Sequence, residues 1–218
     1  MMELAVMQHS KCCALWACRF DSDWRHKMLD TSNKPSLAYL IGLAIGDGNL
    51  SNPNGRAVRL RITCDKKYPN IISEIQETLK IIAPRNKVSL FYRTKNNAID
   101  ISCYSNDWEN VLGWKAKNGS KIKQKISVPK WIKENEEYSA KCLKGLFQTD
   151  GSIYHDRKYL TANFVSCIPT LANDVFSMIE NIGFKPNMQK IRKNTNIKHT
   201  IRISRDCQKF IDVLELVK

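Results

Sequence analysis

Leu40-Ile41-Gly42-Leu43-Ala44-Ile45-Gly46-Asp47-Gly48-Asn49-Leu50 returns later in the chain as Leu143-Lys144-Gly145-Leu146-Phe147-Gln148-Thr149-Asp150-Gly151-Ser152-Ile153. The offset is 103 residues, and Leu40/Leu143, Gly42/Gly145, Leu43/Leu146, Asp47/Asp150 and Gly48/Gly151 are identical. At the same offset Ile62-Thr63-Cys64 meets Val165-Ser166-Cys167. Two separate blocks sharing one offset mark an internal duplication. The 218 residues are long enough for one or two domains with a sizeable core.

The segments downstream of the two blocks repeat one pattern as well. Arg56–Cys64 alternates Val58, Leu60 and Ile62 with Arg59, Arg61 and Thr63, which predicts a strand with one basic face. Residues 68–83 place Ile71, Ile72, Ile75, Leu79 and Ile82 at helical spacing, with Pro84 beyond. Strands are expected over 87–93 and 98–103 around a Lys95-Asn96-Asn97 turn, then a short helix to Leu112. After the second block the same order is expected: a strand at 159–167, a helix at 169–181 stopped by Gly183, strands at 187–193 and 198–204, and a closing helix from Asp206 to about Leu216. Each half is thus an α+β unit. We set the first half at 34–113, a basic connector at 114–136 and the second half at 137–218.

Composition narrows the function. Hydrophobic residues make up 43% and charged residues 26%, unlike a disordered or low-complexity chain. No apolar run reaches membrane-spanning length, so a transmembrane helix is excluded; no membrane is expected among the partners. Eight cysteines, mostly single within apolar patterns, predict reduced thiols in an intracellular setting: cytoplasm, nucleoid or organelle matrix. Lys and Arg number 35 against 21 Asp and Glu, a net charge of +14. Residues 1–36 hold five basic and four acidic, so the remainder carries +13. That excess points to a polyanion, without separating DNA from RNA or from an anionic membrane surface. Residues 115–125 contain five lysines and no acid, as a connector lying near phosphate would. Residues 1–33 have no counterpart in the second half and are expected to be an extension, or to precede a true start at Met28. His9, Cys12, Cys13, Cys18 and His26 lie there without the Cys-x2-Cys spacing of a zinc site.

The repeated block has a physical logic. Gly42 and Gly46 share one helix face, as do Gly145 and Thr149, and small residues at that spacing let two helices approach closely. Asp47 and Asp150 close their helices, each before a glycine suited to a left-handed exit. A carboxylate at a helix C-terminus meets the negative end of the dipole, and pairing the helices brings two such groups together. A cation must offset this, and a divalent metal is the economical one. Hard oxygen donors facing phosphate suit Mg²⁺, with Mn²⁺ expected to substitute. Asp-Gly more often makes a simple turn, but that use does not explain both copies at matching helix ends. The alternating strands supply Arg59 and Arg61, Lys190 and Arg192, and Lys198 and Arg202 as cationic faces, with Arg93 beside them, as a sheet with one side on nucleic acid requires.

LIGLAIGDG and LKGLFQTDG resemble the two motifs of a single-chain LAGLIDADG homing endonuclease. The second departs at Lys144, Gln148 and Thr149 but keeps the glycine, the leucine and Asp-Gly. The resemblance covers 37–216 and implies duplicated αββαββα halves with pseudo-two-fold symmetry, their two antiparallel sheets forming a DNA-binding saddle. It implies a monomer that binds a double-stranded target and cuts both strands with 3′ overhangs. Asp47 and Asp150 would hold Mg²⁺, with the carbonyls of Gly46 and Thr149. Thr63, Ser166 and Asn106 would organise water, and Arg205 would supply a basic group, favouring the second half as the more active. The implied setting is an intron; an intein is not expected, since no splicing cysteine opens the chain and no His-Asn closes it. The rival readings are an RNA maturase acting on intron RNA and a DNA-binding regulator with an inactive nuclease fold.

Overall fold

The computed structural model describes residues 28–53, 55–193 and 196–216. The zinc-like residues from His9 to His26 lie outside them. The first half runs α1 (Lys34–Gly46), β1 (Gly48–Ser51), β2 (Arg59–Asp65), α2 (Pro69–Ile82), β3 (Val88–Tyr92), β4 (Ala98–Tyr104) and α3 (Trp108–Leu112). After a connector with one turn of helix, α4 (Lys130–Lys133), the second runs α5 (Glu136–Thr149), β5 (Gly151–Asp156), β6 (Tyr159–Ser166), α6 (Pro169–Asn181), β7 (Asn187–Lys193), β8 (Asn196–Ile203) and α7 (Cys207–Val213). Each half is αββαββα with one antiparallel sheet, ordered β1-β2-β4-β3 and β5-β6-β8-β7. The short strands β1 and β5 are the elements that alternation alone does not place.

Capping starts the two central helices. Asn33 Oδ1 accepts the Ser36 amide at 3.0 Å to open α1, with Pro35 in its first turn. Asn135 Oδ1 does the same for Tyr138 in α5, with Glu136 and Glu137 favourably placed against the dipole. Residues 37–45 of α1 are all buried, as a helix packed on every side requires. A Cβ on Gly42 would stand 2.2 Å from the Cys142 carbonyl oxygen, and one on Gly145 2.6 Å from that of Tyr39. The backbones touch there, and Gly46 and Thr149 meet one turn further on.

The departures of the second motif have structural partners. Lys144 Nζ donates to Glu74 Oε1 at 2.6 Å and Glu215 Oε2 at 3.3 Å, and Gln148 Nε2 donates to Glu74 Oε2 at 3.2 Å. The Tyr39 hydroxyl lies 2.6 Å from Gln148 Oε1 and 3.0 Å from Glu74 Oε2. Glu74 belongs to the first half, so these polar residues tie the halves together on one flank of the helix pair.

The glycines after the aspartates correct an expectation. Neither Gly48 nor Gly151 adopts positive φ; the chain enters β1 and β5 directly, through Asp47 at φ −87° and Asp150 at φ −94°. Space makes these glycines necessary. A Cβ would stand 2.4 Å from Ala44 O at Gly48 and 2.5 Å from Phe147 O at Gly151, so the first strand residue lies against its own last helical turn.

Candidate active site and nucleic-acid interface

Because Gly46 packs on Thr149, the residues just after them, Asp47 and Asp150, emerge side by side at the exposed end of the joint. Neither helix carries a basic residue in its last turn. The cation at α1 comes instead from the connector: Lys121 Nζ donates to the carbonyls of Ala44, Ile45 and Gly46 at 2.9, 2.7 and 2.6 Å. Burial pulls the Lys121 pKa down to about 8, while the charges of Asp150 and then Asp47 oppose that fall. Both aspartates are therefore within electrostatic reach of one ammonium. The helix-end argument for a metal is corrected accordingly: Lys121 already offsets the negative end of α1, and the Gly46 carbonyl assigned to a metal already accepts a hydrogen bond from it. The residues still fit Mg²⁺. Two exposed hard carboxylates stand at adjoining helix ends, and no group of three His, Cys, Asp or Glu placed to hold a metal exists among the described residues, so water and phosphate oxygens would complete the shell.

The sheet register decides which side chains flank each aspartate. Gly48 pairs with Ile62, so Thr63 comes next along the ladder toward Asp47, and Asp100 pairs with Thr63. Thr63 Oγ1 donates to Asp100 Oδ1 at 2.7 Å, and Arg93 grips Asp100 through Nε and Nη2 at 2.9 and 2.8 Å. Burial raises the Asp100 pKa, but hydrogen bonds from Arg93 and Thr63 and the charges of Arg93 and Arg61 outweigh it and hold the group below its ordinary value. In the second half Gly151 pairs with Phe164, so Val165 stands next toward Asp150, with Thr200 opposite. Ser166 is thereby corrected. It is buried, on the inner face, and its Oγ accepts from the Ile168 amide at 3.1 Å.

Asn106 and Arg205 do not approach the aspartates. Strands β4 and β8 run away from the helix ends, and Ser105 bonds Val58 at the opposite edge. The four steps along the strand from Asp100 to Tyr104 alone span ~13 Å. Ser166 is turned inward and Arg205 is distant, so neither flanks Asp150, while a hydrogen-bonded row of Thr63, Asp100 and Arg93 lies beside Asp47.

Of the cationic residues expected on the sheets, Arg59, Arg61, Lys198 and Arg202 register on the outer faces. Arg59 Nε donates to Ser51 at 3.2 Å, and the buried Arg61 Nε has no hydrogen-bond partner among the described residues. Arg93 is committed to Asp100, and Arg202 to Asp156. Lys190 and Arg192 are corrected: they pair with His199 and Ile197 on the helix-side register, whereas Ile191, 53% exposed, points outward. Aromatic residues share these faces with the cations: Phe91, Tyr104, Tyr154 and Tyr159 are exposed on the outer sides of the sheets.

Two helices joined through glycines, each ending in an aspartate that leads into an antiparallel sheet, define a duplicated LAGLIDADG protein. The family descriptions agree: a WhiA LAGLIDADG-like domain matches residues 36–106 and a LAGLIDADG-like domain matches 137–212. The chain belongs to the LAGLIDADG family, with two such domains in tandem. Among solved structures it is similar to mesophilic variants of the homing endonuclease I-DmoI, at TM-score 0.59 and 17% identity over 83% of this chain and 95% of that one. I-DmoI in complex with DNA and Mn matches at TM-score 0.58 and 18% identity, over 85% and 98%. Full-length DUF199/WhiA from Thermatoga maritima matches at TM-score 0.59 and 14% identity, over 87% of this chain and 58% of that one. In sequence, the chain is 26% identical over 163 residues to the ribonucleoside-diphosphate reductase NrdEB subunit alpha of Bacillus subtilis (strain 168), covering 69% of this chain. It is 24% identical over 196 residues to the tRNA-splicing ligase RtcB of Methanopyrus kandleri, covering 77%. The chain spans only 15% and 19% of those relatives' lengths. No helix among the described residues is long and apolar enough to cross a membrane.

Proposed function

We propose that this protein is a monomeric, Mg²⁺-dependent endonuclease that cuts both strands of a specific DNA site and leaves 3′ overhangs. The observation that carries the reading is the pair of exposed carboxylates, Asp47 and Asp150, brought together by the glycine-lined helix pair at the centre of two outward-facing sheets. Bound Mg²⁺ would activate the attacking water and steady the leaving oxygen. Asp47 and Asp150 would bind it, Lys121 fixes the end of α1 beneath it, and Thr63, held by Asp100, offers a hydroxyl oxygen to a water beside Asp47. Arg59, Arg61 and Lys198 would meet phosphates and base edges along the sheets. I-DmoI, of the same fold, has been solved with DNA and with Mn.

The two curated relatives support a mobile module. A reductase and a ligase share no chemistry, yet each contains a similar stretch as a small part of its length. Since that stretch belongs to the protein chain itself in both, in-frame insertion stands beside the intron as the genetic setting of this chain. Val165 beside Asp150 favours a second reading, a protein that binds its site and cuts one strand or none.

The test is direct. A target is recovered by selection from randomised duplexes, and cleavage is followed with Mg²⁺. Asp47→Asn and Asp150→Asn should each lower double-strand cleavage by at least ~100-fold with binding retained, the loss expected when one charged metal ligand is removed. Cleavage at wild-type rate by both would refute the nuclease; binding without cleavage by the parent protein would establish the second reading.

A further inference from the structure

We propose that Lys121 is a resident counter-ion of the joint between the halves: its ammonium holds Asp47 and Asp150 together before metal or DNA arrives, and a divalent cation entering the site takes over part of that work. Both central helices end without a basic residue in the last turn, and both then add a carboxylate at the negative pole. Two like charges at adjoining helix ends repel, so the joint needs a cation from elsewhere. Lys121 reaches it from more than seventy residues away in sequence and spends its three donors on three carbonyls of α1.

The connector is built to deliver this one lysine. Gln124 bonds the amide and carbonyl of Lys115 and the carbonyl of Gly119 at 2.9, 2.9 and 3.0 Å, closing the loop around Lys121. A loop already ordered this way loses less entropy when the long side chain is fixed. Its neighbours Lys117, Lys123 and Lys125 remain exposed. Lys121 also lines a cleft of about 330 Å³ between the connector and β1, with Gly48, Asn49, Trp114 and Ser120, so its side chain borders an opening at the residue that follows Asp47. A helix cap alone would need only the carbonyls. Because Gly46 packs on Thr149, an ammonium seated on the Gly46 carbonyl stands where the two helices end together, one from each half, and so serves as an electrostatic tie between the halves.

The proposal does not depend on DNA cleavage, and its test uses the full chain without DNA. Thermal unfolding in a chelator is compared for wild type, Lys121→Met, Asp47→Asn/Asp150→Asn and the three substitutions combined. Lys121→Met should lower Tm by roughly 5 °C, and by at most half as much when the aspartates are already asparagines. Equal drops in both backgrounds would reduce Lys121 to a helix cap and overturn the proposal. If Lys121→Met alone fails to melt cooperatively, the combined variant should recover a cooperative transition, and its failure to do so would also overturn it. Added Mg²⁺ should raise Tm more in Lys121→Met than in wild type; an equal or smaller rise would show that metal and ammonium do not share the site.

Discussion

Across the first sheet, Asp47 is followed by Thr63, Asp100 and Phe91, with Arg93 folded over Asp100; across the second, Asp150 is followed by Val165, Thr200 and Gln189. The backbones are the same ladder. One row holds a hydroxyl, a carboxylate and a guanidinium in mutual hydrogen bonds; the other offers a 41% exposed valine and neutral polar groups. Duplication has thus kept the helix pair and its aspartates while their neighbours have diverged. The halves should differ in chemistry accordingly: the residue next to Asp47 on the ladder, Thr63, offers a hydroxyl to water, and the one next to Asp150, Val165, offers none.

The helix pair is where the halves should behave alike, and it sets the largest effect. Gly42→Leu and Gly145→Leu each drive a side chain into a partner backbone that a Cβ alone would crowd to 2.2 or 2.6 Å. Each should cost about 3 kcal/mol or more, at the upper end of overpacking because backbone cannot move aside as a side chain does. Urea unfolding measures it. A loss confined to one glycine would mean the crossing is less symmetric than the geometry indicates.

The flanking rows are where the halves should part. Thr63→Val should slow cutting of the strand served by Asp47 by about 10-fold, and Val165→Thr should speed the other strand by a smaller factor, since a hydrogen bond to water is worth roughly 1 kcal/mol. End-labelled duplexes separate the two rates, and wild type should pass through a nicked intermediate. Equal strand rates in wild type and both variants would mean that the two rows do not differ in chemistry.

Much of this was legible in the sequence. The repeated block, the helix-facing glycines and the period-two strands mark the halves because each is a local pattern. The flanking residues were not legible, since the two hairpins differ in length. Seven residues lie between β1 and β2 and two between β5 and β6, so Gly48 pairs fourteen residues on and Gly151 thirteen. A single offset of 103 therefore aligns Thr63 with Ser166 when the ladder aligns it with Val165, and a one-residue slip turns a side chain to the other face. Lys190 and Arg192 misled for a related reason: Met188 and Ile191 have opposite parity, so only one can face the core, and the edge position of β7 leaves Ile191 outside. Lys121 is one of five lysines in residues 115–125, and only tertiary contact distinguishes it.

Asp100 gives a subtler contrast, because Thr200 occupies its place in the second sheet. Asp100→Asn should destabilise the protein by about 1–3 kcal/mol at pH 7, as Arg93 loses its charged partner; Thr200→Val should cost less. The folded Asp100 pKa lies below its ordinary 3.8, so its contribution is complete above that value and is lost as pH falls through the folded one. The gap between wild type and Asp100→Asn should therefore narrow only in acid below about 3.8. A gap constant down to the lowest folded pH would mean that shape, not charge, holds this row.

The smallest effect concerns the sheets' outer faces. A cation that neutralises a phosphate on binding releases a counter-ion, so its removal lowers the slope of log affinity against log salt by ~1. Arg59, Arg61 and Lys198 face outward without an ion-pair partner among the described residues and should show that change as alanine variants. Arg93 and Arg202 share the face, but Asp100 and Asp156 already balance their charges, so their slopes should move by less than ~1 unit. Lys190 and Arg192, on the helix-side register, should leave the slope unchanged. The measurement needs no specific site, since any duplex titrated across a salt series reports it. If Lys190→Ala and Arg192→Ala lower the slope as Arg59→Ala and Arg61→Ala do, DNA wraps the edge of the second sheet, and the two halves bind it by different surfaces.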